Sequence, residues 1–244
     1  MAADTAARVR DVQTWLERRA SRKNVAGMAR YGIVSPKVFG ISVAVLRAYA
    51  KRLGRDHALA LALWKTGSHE ARMLAALIED PPRVTPAQMD RWAADFDNWA
   101  LCDTVCFHLF DKTAHRWDRI AAWQRRPEEF VRRAGFALMA SVGVHDKTAT
   151  DAQLRKCFPM IRRAATDDRN YVRKSVSWAL RTIGKRNPTL HEEATTVATA
   201  LRTSTSKSAR WIGSDTLRDL SSAATTKRFA RQRSKTTRRG TTDE

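Results

Sequence analysis

Apolar residues recur at intervals of three and four almost from one end of this 244-residue chain to the other. That is the spacing of helices that each bury one face. It predicts helices over 5–20, 42–53, 57–65, 69–79, 86–95 and 99–110. Further helices are expected over 116–125, 127–142, 150–165, 169–186, 190–203 and 208–220. Breakers fall between them: Gly54, Gly67 with Ser68, the Pro81 and Pro82 pair, Asn98, Asp146, and Asn187 with Pro188. No short stretch joins β-branched alternation to flanking turn residues, so strands are not expected. Short links between many helices imply antiparallel pairs, as in a bundle or an α-solenoid. No fixed period repeats strongly along the chain.

Composition narrows the picture. Gly and Pro together supply 17 residues, too few for a turn-rich β-sandwich or a low-complexity chain. Apolar residues make up 43%, enough for a sizeable core. No apolar run approaches the length of a membrane span, and the N-terminus has no signal-peptide pattern. Three cysteines, an odd number, argue against a disulfide framework and for a reducing cytoplasm.

Charge changes the picture most. Lys and Arg number 45 against 25 Asp and Glu, a formal net charge of +20. A polyanion is the default partner of such a chain. The excess is uneven: residues 51–100 are neutral overall, whereas 151–244 are strongly basic. From 221 to 244 the chain is Ser, Thr, Arg and Lys with few apolar side chains. That tail is expected to be disordered, following a single domain over 1–220.

Three segments carry candidate chemistry. Over 171–186 (YVRKSVSWALRTIGKR), Val172, Val176, Ala179, Leu180 and Ile183 form a core stripe. Trp178 lies off that stripe, on one face with Lys174, Arg181 and Lys185. An aromatic amid cations suits a nucleic-acid backbone, with phosphates on the cations and sugar or base on the indole. Alternatively, Trp178 packs on a neighbouring helix and the cations are merely solvated. Over 99–110 (WALCDTVCFHLF), Asp103 is the one formal charge, a single turn after Trp99. A carboxylate in such surroundings needs a partner. It is either half of a structural ion pair or a site that stabilises a cation. Over 130–141 (FVRRAGFALMAS), Arg132 and Arg133 precede small residues that permit close helix packing. Arg133 is placed to reach Asp103, or to hold a phosphate beside it. Cys102, Cys106 and His108 lack a usual zinc spacing, so no metal is expected. No Gly-rich phosphate loop, nucleophile elbow or HExxH motif occurs.

Several segments resemble the AlkD-like DNA alkylation repair family. They are GMARYGI (27–33), FGISVAVLRAYAKRLGRDHALALALW (39–64), HEARMLAALIED (69–80), FDNWALCDTVCFHLFDKT (96–113), EFVRRAGFALMAS (129–141) and DDRNYVRKSVSWALRTIGKRNP (167–188). The resemblance covers roughly 5–205 and leaves out the basic tail.

The resemblance implies an all-α fold, an α-solenoid of HEAT-like repeats whose concave cationic face holds duplex DNA. It implies a monofunctional DNA glycosylase of base excision repair. Such an enzyme hydrolyses the N-glycosidic bond of cationic N3- and N7-alkylated purines without flipping the base. The family's catalytic aspartate falls on Asp103, its two sugar-contacting tryptophans on Trp99 and Trp178, and its arginine on Arg133. Lys174, Arg181, Lys185, Arg173 and Arg132 would supply backbone contacts. No metal or organic cofactor is implied. The expected form is a monomer in the cytoplasm, associated with the nucleoid. Ala100 stands where some members carry a second aspartate directly after the first tryptophan. Relatives that keep the fold but bind structured DNA without glycosylase activity supply the alternative: a non-catalytic module for distorted or branched DNA.

Overall fold

Side-chain oxygens start the helices where the breakers fall. Ser42, Asp56, Thr85, Asn98, Thr150, Asn187 and Ser206 each accept the backbone N–H three residues on. A computed structural model describes residues 2–230. One compact unit runs to Leu138 and a second begins at Met139. The sequence pattern draws no boundary there, because the apolar run from Ala134 to Val142 is buried without interruption.

The first unit contains α1 (Ala2–Glu17), α2 (Arg22–Arg30), α3 (Val43–Leu53), α4 (His57–Lys65) and α5 (His69–Ile78). After a 3₁₀ turn (Pro81–Arg83) come α6 (Pro86–Ala94) and α7 (Trp99–His108). A second 3₁₀ turn (Phe110–Lys112) leads to α8 (Arg116–Trp123) and the start of α9 (Glu129–His145). α5 packs against α3, α4 and α7, and α1 against α4, around an aromatic core. The Trp64 and Trp92 rings stack at 3.9 Å, and Phe96, Phe110 and Trp123 close around them. The two outer indoles are satisfied by carboxylates, Trp64 by Asp95 at 2.7 Å and Trp123 by Asp90 at 2.8 Å.

α2 escapes the sequence pattern because none of its residues is buried. It is fixed by its flanks instead. Ser21 donates its N–H to Phe39, and the Asn24 amide donates to the Gly40 carbonyl. The buried Glu70 carboxylate accepts the N–H groups of Phe39, Gly40 and Ile41 at 2.9, 2.7 and 3.2 Å. Gly40 has a φ of +80°, and a Cβ there would meet the Ser21 carbonyl at 2.6 Å.

The second unit continues α9 and adds α10 (Asp151–Arg155), α11 (Cys157–Ala164), α12 (Asn170–Gly184), α13 (Pro188–Arg202) and α14 (Lys207–Leu220). The single helix expected over 150–165 is broken at Lys156. Pro159 has no N–H to give the Arg155 carbonyl, and its ring crowds that oxygen. Helix also forms over 223–230, where Thr225 is buried and Phe229 meets His191 edge-on at 5.0 Å. The expectation of disorder from 221 is not met over that stretch. The rest of the basic tail, 231–244, lies outside the described residues. Among the described residues there is no strand, and no helix is long and apolar enough to cross a membrane.

Candidate functional site

Asn98 sets the register of the site in the first unit. Its side-chain oxygen caps α7 through the Leu101 N–H at 3.0 Å, and its amide donates to His69 Nδ1 at 3.2 Å. Burial holds His69 below the ordinary histidine range, so a neutral ring receives that bond. Trp99 then opens the helix and Asp103 follows one turn later. The Trp99 indole donates to the Tyr31 carbonyl at 2.8 Å, while the Tyr31 residue itself is 76% exposed.

α9 brings Arg133 to Asp103. Cys102 and Cys106 point their thiols at the Phe130 and Ala134 carbonyls, at 3.7 and 3.6 Å, which seats α7 against α9. On its other side α9 approaches α8 closely: a Cβ on Gly135 would lie 2.7 Å from the Gln124 nitrogen. Only a small-residue helix fits that gap, as its Ala and Gly content implies. Arg133 meets Asp103 in a forked pair, Nε to Oδ1 at 2.9 Å and Nη2 to Oδ2 at 2.6 Å.

The pair is unevenly covered. The Arg133 side chain is 7% exposed and that of Asp103 is 20% exposed. Burial raises the Asp103 carboxyl above the usual aspartate range, and Arg133 only partly offsets this. For Arg133, burial opposes the charge, but the Asp103 carboxylate outweighs it and the pKa rises. Each carboxylate oxygen still has a lone pair outside the fork. A partly exposed anion held rigidly by a covered cation can face a developing positive charge.

Trp178 and the expected backbone contacts lie in the second unit, apart from Arg132, which is half-buried on α9. On α12, Trp178 is half-buried and Lys174 is exposed. Arg181 and Lys185 have acidic partners on α14. Arg181 Nε is 3.6 Å from Asp215, which also accepts from Ser177 at 2.7 Å, and Lys185 pairs with Asp219. The Arg173 guanidinium sits 5.0 Å from the Trp211 ring. Of the four residues on the basic face of α12, two are therefore already matched with carboxylates.

Sequence reasoning missed those carboxylates. Their signal is the i, i+4 spacing of Asp215 and Asp219 within a basic stretch, but nothing local says which helix they meet. It also missed the Tyr31 carbonyl, a backbone atom with no signature in the sequence. Among the described residues, no three His, Cys, Asp or Glu side chains gather as a metal site.

The family model described as DNA alkylation repair enzyme matches residues 12–230, and the chain belongs to that family. A solved structure gives a TM-score of 0.70 at 21% identity, over 78% of this chain and 81% of that one. It is described as "A new family of proteins related to the HEAT-like repeat DNA glycosylases with affinity for branched DNA structures". That likeness extends to the fold, all-α and built of stacked helices. No curated protein matches the chain.

Proposed function

We propose that the protein is a DNA glycosylase that releases cationic N3- and N7-alkylated purines from duplex DNA, with Asp103 as its central catalytic residue. The observation that carries this reading is the Asp103 carboxylate, gripped by Arg133 yet still 20% exposed. Alkylation leaves a positive charge on the purine. As the C1′–N bond breaks, its electron pair returns to the ring nitrogen and neutralises the base. Positive charge then passes to the sugar, as in glycoside hydrolysis. The carboxylate stabilises that charge and orients the water whose oxygen bonds to C1′, and the water's proton passes to solvent. Trp99, one turn before Asp103 on α7, covers the sugar, and basic side chains bind phosphates independently of sequence. The base needs no pocket, because the chemistry acts on the sugar.

A second reading is a module that binds branched DNA without cleaving it. Both Asp103 oxygens are engaged by Arg133, as a purely structural ion pair would have them. The fold is also shared with a protein described as having affinity for branched DNA. Incubation with methylated duplex, followed by chromatography of the released bases, separates the two. Free 7-methylguanine or 3-methyladenine supports the enzyme. No release across several adducts, together with preferential binding of a four-way junction, supports the binding module.

A further inference from the structure

α7 leaves one narrow strip of itself uncovered, and Asp103 stands in the middle of it. Leu101, Cys102, Thr104, Val105 and Cys106 are buried, whereas Trp99, Ala100, Asp103 and Phe107 are half-buried. Four-residue steps set Trp99, Asp103 and Phe107 about 40° apart around the helix axis and about 6 Å apart along it. His108 is also half-buried, but it lies at the helix end and well round the axis from Asp103. The carboxylate thus has one aromatic a turn before it and another a turn after it. The proposed reaction uses Trp99 and leaves Phe107 without a role.

The two rings are not equivalent. A helical side chain leans toward the N-terminus and covers the turn that precedes its own Cα. Trp99 therefore leans away from Asp103, and its indole is held there by the Tyr31 carbonyl at 2.8 Å. Phe107 leans back over the turn that carries Asp103. His108 meets the Phe107 ring edge-on at 5.8 Å, an arrangement that aromatic rings favour. A phenylalanine needed only to pack α7 would sit on its buried side with Leu101 and Val105. Polar groups are scarce on the strip. Both Asp103 oxygens are gripped by Arg133, and the Trp99 N–H is taken by Tyr31. Ala100 and Phe107 have no side-chain donor or acceptor.

We propose that Phe107 is a specificity-determining residue, which packs on the C2′ side of the lesion's sugar and selects deoxyribose over ribose. The inference rests on the glycosylase reading and deepens it. A sugar whose C1′ is brought to Asp103 presents the adjoining C2′ to the wall beside the carboxylate. In deoxyribose that carbon bears only hydrogen, and its methylene packs on a ring face. A ribose 2′-hydroxyl pressed there gives up water and finds no partner except a carboxylate already held by Arg133. The 2′-hydroxyl is the group by which a protein tells RNA from DNA at a single nucleotide. The purine takes no part in this choice, so one wall serves every alkylated base.

The test uses the full chain and two duplexes that differ in one atom, with a single 7-methylguanine carried on deoxyribose or on ribose. Ribose slows the loss of a base whatever the catalyst, so the quantity read is the ratio of the two release rates, compared between proteins. Phe107→Leu and Phe107→Gln are close in size and suit a half-buried helix position, but only glutamine offers the hydroxyl a partner. The preference for deoxyribose should fall about ten-fold in Phe107→Gln and stay within about two-fold of wild type in Phe107→Leu. A merely structural role would lower both rates together and leave the ratio alone. An unchanged ratio in Phe107→Gln, or an equal fall in Phe107→Leu, overturns the proposal. Wild-type protein that releases no base from either duplex defeats the glycosylase reading and this inference with it. Release with an unchanged ratio defeats the inference alone.

Discussion

Arg133 is the deeper partner of Asp103: its guanidinium is almost wholly covered, while the carboxylate that it grips still reaches solvent. An ion pair built only to be buried would have no reason to leave one end open. The asymmetry suits a pair in which the cation positions the anion and the anion acts.

Removing Arg133 should therefore damage both stability and function. Arg133→Ala leaves a largely buried carboxylate uncompensated and is expected to cost about 3–5 kcal/mol in denaturant unfolding. Replacing both partners, D103L with R133M, should restore much of that stability without restoring base release. A double variant as unstable as Arg133→Ala would mean that the pair supplies more than charge balance.

The raised pKa of Asp103 sets a pH dependence. In the proposed reaction the carboxylate is the active form, so base release should fall on acidification at a higher pH than an ordinary aspartate would give. The stability sign is opposite to that of most acidic residues. A raised folded-state pKa means that the folded protein holds this proton more tightly than the unfolded chain. The contribution to stability is therefore full below the unfolded pKa and lost as pH rises through the folded one. A rate profile whose acid limb follows an unperturbed aspartate would contradict the burial argument.

The basic face of α12 should divide into two classes. Lys174 is exposed, and Lys174→Ala is expected to lower the slope of log affinity against log salt by about 0.9. Lys185→Ala should change the slope less, because Asp219 already neutralises that ammonium. For catalysis, Trp178→Ala should cost more than Arg181→Ala, since Arg181 is matched with Asp215. Equal losses would remove any special role for Trp178.

Glu70 fixes the segment that leads from α2 to α3. Glu70→Ala would strip three backbone N–H groups of their acceptor and should destabilise the protein by about 3 kcal/mol or more. Hydrogen exchange at Phe39, Gly40 and Ile41 should accelerate first. Unchanged protection at those amides would show that the loop holds itself.

Much of this was legible in the sequence, for reasons that particular residues make plain. Helices such as α7 and α12 show in the pattern because each buries a face, and their periodicity records it. α2 buries nothing, so it left no trace. Pro159 leaves the apolar period intact, yet its missing N–H divides a helix that periodicity alone joins. The Asp103–Arg133 pair was open to inference because a charge in an apolar helix demands a partner, and the small residues after Arg133 allow close approach. Asp215 and Asp219 could not be matched to Arg181 and Lys185 in the same way. Half-buried acids on an amphipathic helix carry no mark of the helix that they will meet.

The most direct measurement is base release by Asp103→Asn from methylated duplex DNA, paired with its affinity for the same duplex. The substitution keeps the size of the side chain and removes the negative charge. Loss of release to background with affinity within about two-fold of wild type is the expected result, since backbone contacts dominate binding. Release at the wild-type rate would show that Asp103 is only the structural partner of Arg133, and would contradict the account.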